Sequence, residues 1–437
     1  MGDRKAVAKQ IFRDTLAGID IPATLARKLN RQGSVIQAGG TSLDLRHGIR
    51  KIVAISMGKA AFALAEGLTA VLAPDFRIHG ILAGPTPPPR PLGAWEIFIS
   101  GHPVPNEESF RAGRAILELL RGCDGETLIF VLLSGGGSSL VELPLDQNIS
   151  LDDFVKMHHA LVTCGAPIDE INAIRKHVSA VKGGRLAAAA PRSMKLTFGV
   201  TDVPEGQETA LASGPTLPDP TTVADAVRIV RKYNLLEAMP ASLRAKFERG
   251  DLQETPKAGD PMFSRANFEL LLGRRDLFHH AHVAAEAAGF FTVCDNSTDG
   301  WPVERAAQHL LVQLDSVARS RTSRPIALIA DGEVSSPVTG KGTGGRNSAF
   351  VLACVEKIAG RGITVLSVGT DGIDGNSPAA GAVADGTTAE RARAAKMDPR
   401  DFYRRSDAFT FFDNLGDTVM TGPTGNNLRD LRILLAG

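Results

Sequence analysis

Aromatic residues are scarce in this 437-residue chain, with 19 Phe, 2 Trp and 2 Tyr, so recognition by stacking on Tyr or Trp is not an obvious option. Cysteine is as sparse. The four residues at 123, 164, 294 and 354 include no C-x-x-C pair, so neither a structural zinc site nor a disulfide framework is indicated, and a reducing cytoplasmic compartment is expected. No sign of charge dominates: 49 Lys plus Arg stand against 48 Asp plus Glu, a formal net charge of +1. That balance removes the global electrostatic argument for nucleic acid or an anionic membrane as partner. The apolar runs, such as LIFVLL at 128 to 133, fall far short of the ~20 residues of a membrane span. The N-terminal stretch carries Asp3 and Asp14 and lacks a continuous apolar region, so it does not read as a secretory signal. Ala6 stands where a myristoylation signal wants Ser or Thr.

What is present is ordinary core material and much glycine. Apolar residues make up 43% and charged ones 22%, which excludes a disordered chain. At roughly 100 to 200 residues per domain, two or three domains are expected. The 45 Gly and 25 Pro form no low-complexity repeat, so their placement carries the information.

Short aliphatic runs alternate with helical patterns, which predicts an α/β protein built around mainly parallel sheets. The expected strands are KIVAIS (51 to 56), IHGILA (78 to 83), WEIFIS (95 to 100), TLIFVLL (127 to 133), LTFGV (196 to 200), FFTVC (290 to 294), IALIA (326 to 330) and ITVLSV (363 to 368). The N-terminus reads as an amphipathic helix with Val7, Ile11 and Leu16 inward. PTPPPRPL at 85 to 92 reads as a rigid connecting loop. A polar stretch from about 235 to 265 with Pro240, Pro256 and Pro261 marks the expected boundary between domains at 1–250 and 260–437.

Five polar, glycine-bearing turns directly follow expected strands: SMGKAA, SGGGSS, TDVPEG, DGEVSS and GTDGIDG. In open α/β sheets ligands bind outside the carboxyl ends of the strands, so these turns mark a functional rim. SGGGSS (Ser134, Gly135, Gly136, Gly137, Ser138, Ser139) can offer backbone N–H groups to an anion and is read as a phosphate cradle. Neither Gly58-Lys59 nor Gly340-Lys341 satisfies the Walker pattern, and Leu140 breaks a hydrolase elbow. TGKGTGGRN contains a formal G-x-G-x-x-G, but some ten residues after its strand, so the dinucleotide fingerprint is weak. Its glycines Gly340, Gly342, Gly344 and Gly345 read instead as an anion-binding loop leading into a helix that opens with Arg346 and Asn347.

NAIRKHVSAVKGGRLA at 172 to 187 is helical by pattern. At about 100° per residue, Asn172, Arg175, Ser179 and Lys182 share one stripe, with Lys182 the best candidate for a ligand cleft. Asp202, Asp371 and Asp374 sit in strand-end turns, where carboxylates can hold Mg²⁺ beside phosphates or accept a hydroxyl proton. His279, His280 and His282 are spaced so that they do not converge on a metal, whereas His102 stands at a strand end.

SMGKAA, GHPVPNEES, VLLSGGGSSL, NAIRKHVSAVKGGRLA, TDVPEG through LASGPTLPD, GKGTGGRN, GTDGIDG and TGPTGNNLRDL, in this order from about residue 50 onward, together resemble the glycerate 2-kinases. That family has a C-terminal MOFRL-type domain and is often labelled hydroxypyruvate reductase. The resemblance implies a larger Rossmann-like N-terminal domain, a smaller α/β C-terminal domain and an active site in the cleft between them. It implies transfer of the ATP γ-phosphoryl to the 2-hydroxyl of D-glycerate, with ATP and Mg²⁺ required. Lys59 and Arg346 match the family's catalytic lysine and arginine. Asp202 is the expected base, with Asp371 the alternative; Asp371 and Asp374 are the expected metal ligands. Lys182, Asn347 and His102 are expected at the substrate. The expected partners are small molecules only, with a homodimer left open. The chain departs from the family at Asn376, Ser377 and Pro378, where Pro-Thr-Asp is frequent, and at Ser348 and Ala349, where Gln-Glu is common.

Overall fold

All eight expected strands form; the central ones are continuous apolar runs buried on both sheet faces, such as TLIFVLL and IALIA. The computed structural model describes residues 3–201, 203, 206–320, 324–426 and 428–437. It divides into two compact units. One is Ile21–Leu272; the other joins the N-terminal segment, through Asp20, to Gly273–Gly437.

In the first unit a small antiparallel ribbon, β1 (Val35–Ala38) with β2 (Thr41–Asp44), precedes the main sheet. The main sheet contains β3 (Lys51–Met57), β4 (Ile78–Gly84), β5 (Trp95–Ile99), β6 (Thr127–Ser134), β7 (Met194–Val200) and β8 (Ala266–Leu272). Their spatial order is β5-β4-β3-β6-β7-β8 and every pairing is parallel. This is the Rossmann order, which reverses direction between β3 and β6. Helices Ala61–Leu72 and Glu107–Arg121 follow β3 and β5. Val53, Ile55, Ile116, Leu120, Ile129 and Val131 lie in one buried cluster, joining the Glu107–Arg121 helix to the sheet.

The second unit is built on a mixed sheet rather than the mainly parallel one expected. Its strands are β9 (Phe291–Asp295), β10 (Ile326–Asp331), β11 (Ile363–Gly369), β12 (Gly381–Asp385), β13 (Thr418–Val419) and β14 (Asp430–Ala436), in the order β13-β12-β11-β14-β10-β9. Only β9 and β10 pair in parallel; β14 runs antiparallel between β10 and β11. Phe350, Leu434, Val365, Leu310 and Phe411 meet in its core.

The observed division differs from 1–250 and 260–437 for two reasons. ANFELLL, beyond the proline-rich stretch, pairs with β7 as the sixth strand of the first sheet, which carries the boundary to residue 272. The first helix, Arg4–Gly18, belongs to the second unit: Lys5 bonds Asp417 at 2.8 Å, and Gly18 packs on His280 of helix Arg274–Ala287. No helix of the described residues is long and apolar enough to cross a membrane.

Candidate active site

The reversal between β3 and β6 places SMGKAA and SGGGSS side by side at the carboxyl ends of their strands. The Lys59 N–H donates to the Gly135 carbonyl at 2.9 Å, and the Ala60 N–H donates to Ser134 Oγ at 2.9 Å. Gly136 takes φ +85°, and a Cβ there would lie 2.9 Å from His102 Cδ2 and 3.5 Å from Lys59 Cγ. Both side chains therefore pack over this glycine. The backbone N–H groups of Gly136, Gly137 and Ser138 donate to no described residue, while the carbonyls behind them are used in the short helix Gly137–Leu140. Donors left available at a ligand-facing turn are what an anion cradle requires. The hydroxyls divide: Ser139 Oγ bonds the Gly136 carbonyl, and Ser138 Oγ lies 2.8 Å from Ser213 Oγ. Ala212, Ser213 and Gly214 run consecutively through positive φ, a costly conformation for the first two that holds Ser213 against Ser138 and Asn172.

The GKGTGGRN loop is organised in the opposite way. The Gly340 N–H donates to Ser406 Oγ, Gly342 to the Arg405 carbonyl, Gly344 to Asn376 Oδ1 and Gly345 to Ser348 Oγ. The donors of these four glycines, expected at an anion, are engaged within the fold. The glycines allow close approach instead: a Cβ would strike the Arg405 backbone at Gly340, Asp407 at Gly342 and Asp374 at Gly345. The departures from the family pattern build this loop, because Asn376 and Ser348 supply two of the acceptors.

The Asp374 side chain, expected at a metal, is engaged by the helix that follows this loop. Its carboxylate accepts from the N–H groups of Asn347 (2.9 Å) and Ser348 (2.8 Å) and from Ser348 Oγ (2.6 Å), capping helix Arg346–Val355. Burial pushes its pKa up, opposed by those hydrogen bonds. Asp371 is half-buried, and its Oδ1 accepts from the Ile373 N–H. Among the described residues, no group of three or more His, Cys, Asp or Glu gathers to hold a metal ion. The Asn347 side chain, expected at the substrate, is buried and accepts from Ser367 Oγ at 2.6 Å.

Lys182 is not at a ligand-facing surface. The expected helix over 172 to 187 ends at Val178, and Gly183 and Gly184 turn the chain through positive φ before a short helix at Arg185–Ala189. Lys182 is 1% exposed, with its ammonium 2.6 Å from Glu142. Glu142 is completed by Ser179 Oγ at 2.5 Å and by the Leu143 N–H. Burial pulls the Lys182 pKa down against the attraction of Glu142.

Arg346 stands at the first turn of its helix and meets two carboxylates. Nη1 and Nη2 reach Glu333 at 2.8 and 2.6 Å as a bidentate fork, and Nε reaches Asp430 at 2.5 Å. Burial opposes its charge, but Asp430 and Glu333 outweigh this and raise its pKa. Sheet geometry brings these acids together. Asp430 opens β14 opposite Gly369 of β11, and Leu431 pairs with Asp331, the end of β10 that leads to Glu333. The same rim holds Arg429 at 2.7 Å from Asp299 and Arg274 at 3.3 Å from Asp331. Neither Glu333 nor Asp430 was a sequence candidate, although the DGE turn and the RDL motif contain them. Asp202 lies outside the described residues.

Residues 7–248 match the family described as a domain of unknown function (DUF4147), and residues 326–430 match the MOFRL family. A D-glycerate 2-kinase of Thermotoga maritima is 33% identical over 386 residues, covering 88% of this chain and 90% of that protein. A protein of Agrobacterium vitis named as a hydroxypyruvate reductase is 36% identical over 394 residues, covering 89% and 87%. The crystal structure of a glycerate kinase from Thermotoga maritima superposes with a TM-score of 0.83 at 31% identity, covering 99% of each chain. The chain belongs to the glycerate 2-kinase family.

Proposed function

We propose that this protein transfers the γ-phosphoryl group of ATP to the 2-hydroxyl of D-glycerate, giving 2-phosphoglycerate and ADP. The observation that carries the reading is the pair of hydrogen-bonded turns at the β3/β6 reversal, where Lys59 stands beside three undonated N–H groups. Phosphoryl transfer asks a protein for positioned cations and donors rather than covalent chemistry. The N–H groups of Gly136, Gly137 and Ser138 hold phosphate oxygens, and Lys59 stabilises charge on the transferring group. Arg346 supplies the second cation. Its Asp430 partner is buried and holds Nε, whereas Glu333 is 42% exposed and yields the fork to a phosphoryl oxygen. Asp202, or Asp371 in its place, orients the 2-hydroxyl and takes its proton as the O–P bond forms and the bond to ADP breaks. Magnesium is expected with the nucleotide, because transfer of a phosphoryl group from ATP calls for a metal ion to neutralise charge on the phosphates.

The name of the Agrobacterium vitis relative gives a second reading, an NAD(P)H-dependent hydroxypyruvate reductase. The only formal G-x-G-x-x-G lies in the loop whose donors are consumed, which argues against it. A third reading, a nucleotide or metabolite sensor without catalysis, leaves Lys59 and Arg346 no chemical task. Incubation with ATP, Mg²⁺ and D-glycerate, in parallel with hydroxypyruvate and NADH, separates them. ADP formation dependent on glycerate is expected; NADH oxidation without it would favour the reductase, and neither activity the sensor.

A further inference from the structure

Arg175 is 8% exposed and meets no carboxylate at ion-pair distance among the described residues. Its side-chain partner among the described residues is the neutral ring of His158, whose two nitrogens both lie 3.3 Å from Nη2, a long and shared contact. Nε is buried without a partner among the described residues. A buried guanidinium left in this state costs the folded chain, since buried charges are ordinarily paired. Glu142 attracts the guanidinium from beyond ion-pair distance but is already paired with Lys182 at 2.6 Å, and burial keeps His158 neutral, so the local count is one positive charge.

The position of this charge is informative. Asn172 lies one helical turn before Arg175, so both share a face, and Asn172 accepts from Ser213 Oγ, which in turn contacts Ser138 of the SGGGSS turn. His102, which packs over Gly136, acts electrostatically on His158. Ser213 and Asn172 thus link the helix face that carries Arg175 to the proposed phosphate cradle.

We propose that Arg175, one helical turn from Asn172 and against His158, is the receptor for the carboxylate of the hydroxy-acid acceptor. The assignment rests on the kinase reading above. A single uncompensated cation matches a monoanionic carboxylate better than a polyphosphate, and the guanidinium fork fits a carboxylate in two-point contact.

Arg175→Met and Arg175→Lys, assayed beside the wild type, test it with the KM for D-glycerate, the KM for ATP, and the melting temperature without ligands. The expected result is a glycerate KM raised about 100-fold in the Met variant and at least about 10-fold in the Lys variant, with the ATP KM within about twofold. The unliganded Met variant should melt no lower than the wild type, because it loses an unpaired buried charge. Preference for D-glycerate over glycerol, which lacks the carboxylate, should collapse in the Met variant. An unchanged glycerate KM, an ATP KM that rises equally, or failure of both variants to fold would overturn the assignment. Absence of glycerate phosphorylation in the wild type would overturn the kinase reading and this inference with it; wild-type turnover with an unmoved KM would overturn the inference alone.

Discussion

The backbone N–H of Lys59 donates to the carbonyl of Gly135 at 2.9 Å, so the residue proposed to meet the phosphoryl group is tied to the turn proposed to cradle it. The contact depends on Gly58, which takes φ +125° and lies so close to β6 that a Cβ would sit 2.6 Å from the Ser134 carbonyl oxygen. Gly58→Ala should cost roughly 2–3 kcal/mol in stability and lower kcat by about 100-fold, because both the positive φ and the close approach are lost. Urea unfolding and steady-state kinetics check this. Unchanged stability would mean that the two turns are not coupled as described.

Lys182 is predicted to be a stability residue. Lys182→Met leaves the Glu142 carboxylate buried without its cation and should cost about 3–5 kcal/mol. Combining it with Glu142→Gln should recover most of that loss, since the uncompensated charge is gone. A double-mutant cycle in urea measures the coupling. A Lys182→Met protein of normal stability with a raised glycerate KM would restore the lysine as a substrate ligand.

Asp430 and Glu333 are predicted to separate. Asp430 holds Nε from a buried position, so Asp430→Asn should misplace the guanidinium and lower kcat by about 100-fold. Glu333→Gln removes the acid that occupies the Nη1 and Nη2 edge, and should retain most of kcat while lowering the ATP KM. A large kcat loss in Glu333→Gln would show that Glu333 takes part in the reaction itself.

His158 should make stability pH-dependent. Burial, reinforced by Arg175, lowers its pKa from the usual 6.5 to about 4. Between those values the unfolded chain binds more protons than the folded one, so stability rises with pH across the window. The contribution is full above about pH 6.5, lost as pH falls toward 4, and on the order of 3 kcal/mol in total. Melting temperatures from pH 4 to 7 should show a shallower slope in His158→Phe than in the wild type.

The parallel sheet was legible in the sequence because its strands are continuous apolar runs, and the turns after them carried Lys59 and the SGGGSS cradle into view. β8 escaped because Asn267 and Glu269 interrupt ANFELLL inside a polar stretch. β14 escaped because DLRILLA places Arg432 in a central strand, where it is fully buried and lies 5.0 Å from the Phe350 ring. Without β14 the position of Asp430 could not be seen, and Arg346 read as a free cation rather than one held between two acids. The glycines of GKGTGG misled for a different reason. Composition reveals that a backbone can approach closely, but whether its N–H groups face a ligand or a neighbouring carbonyl depends on the fold around it.

The proposed kinase is defined by the position of the new phosphoester. The ³¹P spectrum of the product from D-glycerate, ATP and Mg²⁺ reads it directly, because phosphorus on the 2-oxygen couples to the single proton at C2. A doublet is predicted. A triplet, from phosphorus coupled to the two protons at C3, or the absence of any new phosphoester would contradict it.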